Sequence, residues 1–234
     1  MNCKLQHLKW FDIVILAMIM FAEAIYISTI QYFELQTNPL PSEQITDFSA
    51  ETTYSIFFIQ LILLFIAFLY LKYRNFDFNV WVMEVSIKSV FQGVFLFIIL
   101  ALCINLYALS VDLFLYGDYI QSIGIRHIYG IEIFTAIYSV LNGFYEEIFF
   151  LGICLAVKPD YIKWSFLFSL LIRFSFHTYQ GMAAAFGIGI LMGCVFFFFY
   201  QKSYSKNLVP FFLAHTIADI IGLHLLDIYY QDVM

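Results

Sequence analysis

Charge is scarce in this chain. Only 12% of its 234 residues are Asp, Glu, Lys or Arg, against about 25% in an ordinary soluble domain. That shortage, beside 63% hydrophobic residues, excludes a soluble globular domain and leaves an integral membrane protein. Lys and Arg total 11 and form no run, so a nucleic-acid surface lacks its electrostatic basis. No Gly-rich phosphate loop and no zinc-knuckle spacing is present. Cysteine is equally sparse. Cys3, Cys103, Cys154 and Cys194 form no CxxC pair, and the last three lie in apolar segments. They read as packed thiols and not as a disulfide framework.

Long apolar runs are what the sequence has in place of charge. A helix needs about 20 mostly apolar residues to cross the hydrocarbon core. Seven segments meet or approach that length: 10–33, 52–71, 80–109, 128–155, 161–178, 182–200 and 208–229. The expected fold is therefore all-α, a polytopic membrane bundle of about seven transmembrane helices forming one domain over 1–234. The N-terminal run resembles a signal peptide, with Ala22-Glu23-Ala24 as a cleavage site. It continues past that site to about Ile30, which favours an uncleaved first span. The connections differ in charge. Lys4, Lys9, Lys72, Arg74, Lys158, Lys163, Lys202 and Lys206 fall in alternate connections. The others hold Pro39, Pro41, Glu34, Glu43, Asp47 and Glu51, with Arg126 the one basic residue there. By the positive-inside rule the N-terminus is cytoplasmic.

Ionisable residues inside such runs are costly and mark function by default. Glu146 and Glu147 sit together in "YEEIFFLG". About 100° separates neighbours on a helix, so the two are expected to face differently. Thr135, Tyr138, Asn142 and Glu146 share one polar stripe; Glu147 needs a partner of its own, and Arg173 is the best counter-ion available. Arg173 and His177 are four apart in the fifth run, as are His215 and Asp219 in the seventh. If these faces converge, two imidazoles and a carboxylate can bind zinc or polarise a water without metal. In the sixth run Ala185, Gly189 and Gly193 recur at four-residue steps, a face for close helix packing. Glu84 and Lys88, also four apart, are expected to form an ion pair. His7, His127 and His224 have no partner by spacing and read as interfacial.

The order Glu-Glu, then His about thirty residues on, then HxxxD in the last run resembles the CPBP family, the CAAX-prenyl-protease and bacteriocin-processing intramembrane proteases. Their pattern is EExxxR, FxxxH and HxxxN or HxxxD. The matching residues are Glu146 and Glu147, His177, and His215 with Asp219, within a protease-like core over 128–225. Leu151 stands where the pattern has Arg, and Arg173 where it has Phe; a cation lost from one helix is regained on the next.

The resemblance implies hydrolysis of a peptide bond in a membrane-associated peptide or protein. Glu146, His177, His215 and Asp219 would be the catalytic set, with Glu147, Arg173 and Asn142 supporting them. Glu146 would activate water, His177 hold that water or a metal, and His215 with Asp219 hold a metal or stabilise an oxyanion. Zinc on Glu146, His177 and His215 stays open beside a metal-independent site, with glutamate-activated water slightly favoured. The expected partners are a peptide or membrane-protein substrate and the lipid bilayer, and the expected location is a bacterial plasma membrane. The competing reading is a catalytically silent relative: a scaffold, a sensor-kinase partner or a bacteriocin immunity factor. A proton-coupled transporter fits less well, because no internal repeat is visible. His177 falls near the outer end of the fifth run, and straight helices would keep it from Glu146.

Overall fold

The computed structural model of the chain describes residues 4–37, 50–116, 120–125, 132–223 and 226–230. Pro39, Pro41, Glu43, Asp47, Arg126, His127 and His224 lie outside them. Seven longer helices carry the described fold. They are α1 (Trp10–Thr37), α2 (Ala50–Tyr73), α3 (Ile87–Tyr116), α4 (Ile133–Glu147), α5 (Ile162–Ser175), α6 (Met182–Lys202) and α7 (Val209–Ile221). α4 runs on as a π-helix, Ile148–Ile153, and α6 contains another, Phe186–Leu191.

The seven apolar runs thus appear as helices, but among the described residues only four helices are long and apolar enough to cross a membrane: α1, α2, α3 and α6. α5 has 14 residues and α7 has 13, about 20 Å each against a core of about 30 Å. Glycine sets the second limit, while α5 ends at Phe176 ahead of a short 3-10 turn. Gly181 (φ 90°) follows the turn beyond α5, and Gly222 (φ 88°) ends α7; a residue with a Cβ rarely adopts such angles. The seventh run does not remain helical to 229 as expected. Leu226–Tyr230 (β2) pairs antiparallel with Ile120–Ile125 (β1), so the all-α expectation needs this small two-stranded sheet added. The β-branched and aromatic side chains of both segments suit strands.

The basic connections meet at one end of the bundle. Leu5 exchanges backbone hydrogen bonds with Asn75 and Asp77, Leu8 N–H donates to the carbonyl of Ala156, and Leu208 N–H to that of Val82. Lys4 pairs with Asp77 at 3.4 Å. Partial burial pushes the Asp77 carboxyl up, but the Asn79 N–H and the Lys4 ammonium outweigh it and hold it below the usual carboxylate range. Beside them Asp12 is fully buried, 2.6 Å from Arg74 and 2.7 Å from the Tyr70 hydroxyl, locking α1 to α2. The expected Glu84–Lys88 ion pair is not among those of the described residues. Glu84 precedes α3 instead of lying on it, and its backbone N–H and carbonyl both bind the side chain of Asn207.

Small residues set the helix spacing, because lipid supplies little hydrophobic drive for helix association. A Cβ on Gly189 would sit 2.5 Å from Phe174 Cα, and one on Gly193 2.5 Å from Leu170 Cδ2, so the small-residue face of α6 packs on α5. A Cβ on Gly143 would sit 2.7 Å from Thr216 Oγ1 and 2.9 Å from the carbonyl oxygen of Phe212, which fixes the close approach of α4 to α7.

Candidate active site

That approach places the end of α4 against the middle of α7. His215 Nδ1 lies 2.7 Å from Glu147 Oε1, and its Nε2 lies 3.7 Å from Glu146 Oε2 and 3.6 Å from Asp219 Oδ1. An ionised carboxylate only accepts, so Nδ1 carries a proton and turns Nε2 toward Glu146 and Asp219. The two glutamates do not diverge as their helical spacing predicts. One imidazole offers nitrogens on two edges, and the flexible glutamate side chains reach both.

From α5, Arg173 Nη2 donates to Glu147 Oε1 at 2.7 Å, and Nη1 stands 3.9 Å from Glu146 Oε2. The guanidinium is almost fully buried and lies over the Phe150 ring, 4.0 Å from its centroid. The cation missing at Leu151 therefore arrives from the neighbouring helix. Leu151 is itself buried within the π-helical turn. That turn shifts backbone hydrogen bonds to i→i+5 spacing, as from Cys154 N–H to the carbonyl of Phe149. Side chains from elsewhere serve two carbonyls there: Trp81 Nε1 donates to Gly152 O at 2.9 Å, and Ser165 Oγ to Cys154 O at 2.5 Å.

Asn142 joins the remaining acids. Its Nδ2 donates to Glu146 Oε1 (3.2 Å) and to Asp219 Oδ2 (2.9 Å). Its Oδ1 accepts from Gln60 Nε2 of α2 at 2.7 Å. Gln60 is a site residue that the motif pattern does not include. Its signal is a side-chain amide deep in an apolar run, "FFIQLILL". Tyr138, from the same polar stripe, is half-buried.

His177 lies beyond the last turn of α5 and is buried. Its Nδ1 is 2.7 Å from the carbonyl oxygen of Arg173. A carbonyl can only accept, so Nδ1 donates and Nε2 keeps its lone pair. The ring packs on Phe176, which stacks with Phe21 of α1. The His177 nitrogens are not part of the tight group of donor atoms. Among the described residues that group is Glu146, Glu147 and His215, within 4.8 Å of one another, so the set drawn from the motifs, with His177 in place of Glu147, is not the one gathered.

A divalent ion fits this group poorly. Glu147 Oε1 already accepts from Arg173 and faces His215 at 2.7 Å, and the buried guanidinium sets a fixed positive charge 3.9 Å from the Glu146 oxygen an ion would need. Exposure rises across the site from Glu147, at 0%, to the Asp219 side chain, at 25%, so the cluster opens past Asp219. Glu146 Oε2 is buried and accepts no hydrogen bond; its two cationic or imidazole neighbours stand 3.7 and 3.9 Å away. Gaps of that length are too wide for direct hydrogen bonds.

A helical integral membrane protein with a buried acid–imidazole–guanidinium cluster is the class that fold and site define. Residues 130–221 match the family model described as Rce1-like, type II CAAX prenyl endopeptidase Rce1-like. The match covers α4 to α7, which hold every cluster residue except Gln60, and it bears out the family resemblance read from the motifs. No curated protein and no solved structure matches the chain.

Proposed function

We propose that the chain is an intramembrane endopeptidase that hydrolyses a peptide bond in a membrane-associated peptide or protein, with Glu146 as general base. The observation that carries this reading is the division of labour between adjacent glutamates. Each glutamate keeps one buried oxygen without a hydrogen bond, but Glu147 Oε1 is held at 2.7 Å by both Arg173 and His215, whereas Glu146 accepts only from Asn142 at 3.2 Å and turns its free Oε2 toward His215 Nε2 across 3.7 Å. Glu146 Oε2 takes a proton from water, and the hydroxide adds to the scissile carbonyl carbon. The C–N bond then breaks, and the proton returns from Glu146 to the departing amine. His215, oriented by Glu147 at Nδ1, presents Nε2 as the donor to the oxyanion when it carries a second proton. His177 offers an Nε2 lone pair to orient the water, and Asn142 fixes the Glu146 carboxylate. Arg173 supports a metal-independent mechanism. It also weakens the silent-relative reading, because the cation absent at Leu151 is supplied from α5.

The test is cleavage of candidate peptides by the purified protein in lipid. Glu146→Gln is expected to lower kcat by about 10²–10⁴-fold, the usual contribution of a general base, with unchanged thermal stability. A chelator is expected to leave the wild-type rate unaltered. Full activity in the Glu146→Gln variant would refute the assignment; chelator-sensitive activity restored by added zinc would refute the metal-free mechanism alone.

A further inference from the structure

A concavity lies away from the acid–imidazole cluster, at the basic end of the bundle. It is a half-open hollow of about 460 Å³ between the first turns of α3, the last turn of α6 and the start of α7. Its floor is apolar: Leu96 and Phe211 are buried, with Phe95, Phe199 and Pro210 beside them. Its rim is cationic and hydroxylic, with Lys88, Lys202, Ser203 and Ser205. Neither lysine makes an ion pair or hydrogen bond among the described residues. Glu84 is engaged elsewhere through its backbone. The carbonyls that end α6 are served by Lys206, whose Nζ donates to Tyr200 O and Gln201 O at 2.8 and 2.7 Å, so Lys202 is spared that duty. None of the catalytic candidates lines the cavity, and the Phe211 and Phe196 rings stand between it and His215.

We infer that this cavity binds an anionic phospholipid, the phosphate held between Lys88 and Lys202 and an acyl chain laid on Phe95 and Phe199. An apolar floor beside two ammonium groups suits an amphiphilic anion better than a freely soluble one, and the two unpaired ammonium groups disfavour a zwitterionic headgroup. The same end carries the basic connections, where the cytoplasmic leaflet supplies anionic lipid. The inference is independent of proteolysis.

Native mass spectrometry of the intact purified chain, titrated with phosphatidylglycerol, phosphatidylcholine or soluble glycerol phosphate, tests it. Phosphatidylglycerol is expected to bind roughly 10- to 30-fold more tightly than phosphatidylcholine, as two lysines near a phosphate would give. The Lys88→Gln, Lys202→Gln double variant should lose that preference. Lys158→Gln with Lys163→Gln, which removes equal charge from the same end, should keep it. Soluble glycerol phosphate should not compete. The inference is overturned if the cavity variant keeps the preference, if both double variants lose it equally, or if glycerol phosphate displaces the lipid.

Discussion

Arg173 shows how one residue can stand in for another on a different helix. Its buried guanidinium contacts Glu147 and approaches Glu146, and deleting one partner of such an arrangement leaves uncompensated charge. Arg173→Phe is expected to destabilise the fold by about 3–5 kcal/mol, read as loss of thermal stability in detergent. Adding Leu151→Arg, which returns the cation to the position in the family pattern, should recover part of that loss and part of the activity. A double variant no better than the single one would contradict the exchange. Gln60→Leu removes the donor to Asn142 Oδ1, a neutral hydrogen bond of about 1 kcal/mol. Peptide cleavage should fall severalfold while the melting temperature moves little. Glu146, Glu147, His177, His215 and Asp219 are legible in sequence because ionisable groups in apolar runs are rare enough to stand out. Gln60 is not legible in this way, because a single amide resembles an ordinary interhelical hydrogen bonder.

The helices themselves are read from apolar length, and their ends are not. α7 stops at Gly222 with positive φ, and α5 stops at Phe176 ahead of a 3-10 turn, features of backbone geometry that hydropathy does not report. The π-helical turn after Glu147 is equally invisible, since it changes the hydrogen-bond spacing and leaves the composition alone. Close approach is partly legible. The four-residue spacing of Gly189 and Gly193 announces a packing face, whereas Gly143 stands alone and its opposition to Thr216 emerges only on assembly. Gly143→Ala tests that contact. The new methyl would meet both a side chain and the α7 backbone at under 3.0 Å, so α7 must shift and carry His215 with it. Cleavage should drop by at least tenfold, because misplacement by about 1 Å can cost 10²-fold, while helix content by circular dichroism is retained.

Over the whole molecule, the alternation of basic connections and the contacts among them describe the same end of the bundle. Lys4, Arg74, Lys158 and Lys206 lie on segments joined by backbone hydrogen bonds or adjoining such joints. Single cysteines introduced at Lys158 and Ser205 should both be labelled from the cytoplasmic side in sealed vesicles, and one at Glu34 from the opposite side; labelling of 158 and 205 from different sides would refute the orientation. The sequence alone determined the solvent of this protein, its helix-rich character and the identities of its unusual polar residues, because the cost of charge in hydrocarbon is written directly in composition. Only the tertiary structure decided which groups meet: that Arg173 serves Glu147 from another helix and that one imidazole spans both glutamates. Those outcomes depend on distances between segments far apart in the chain, and helix period carries no information about the separation of two helices.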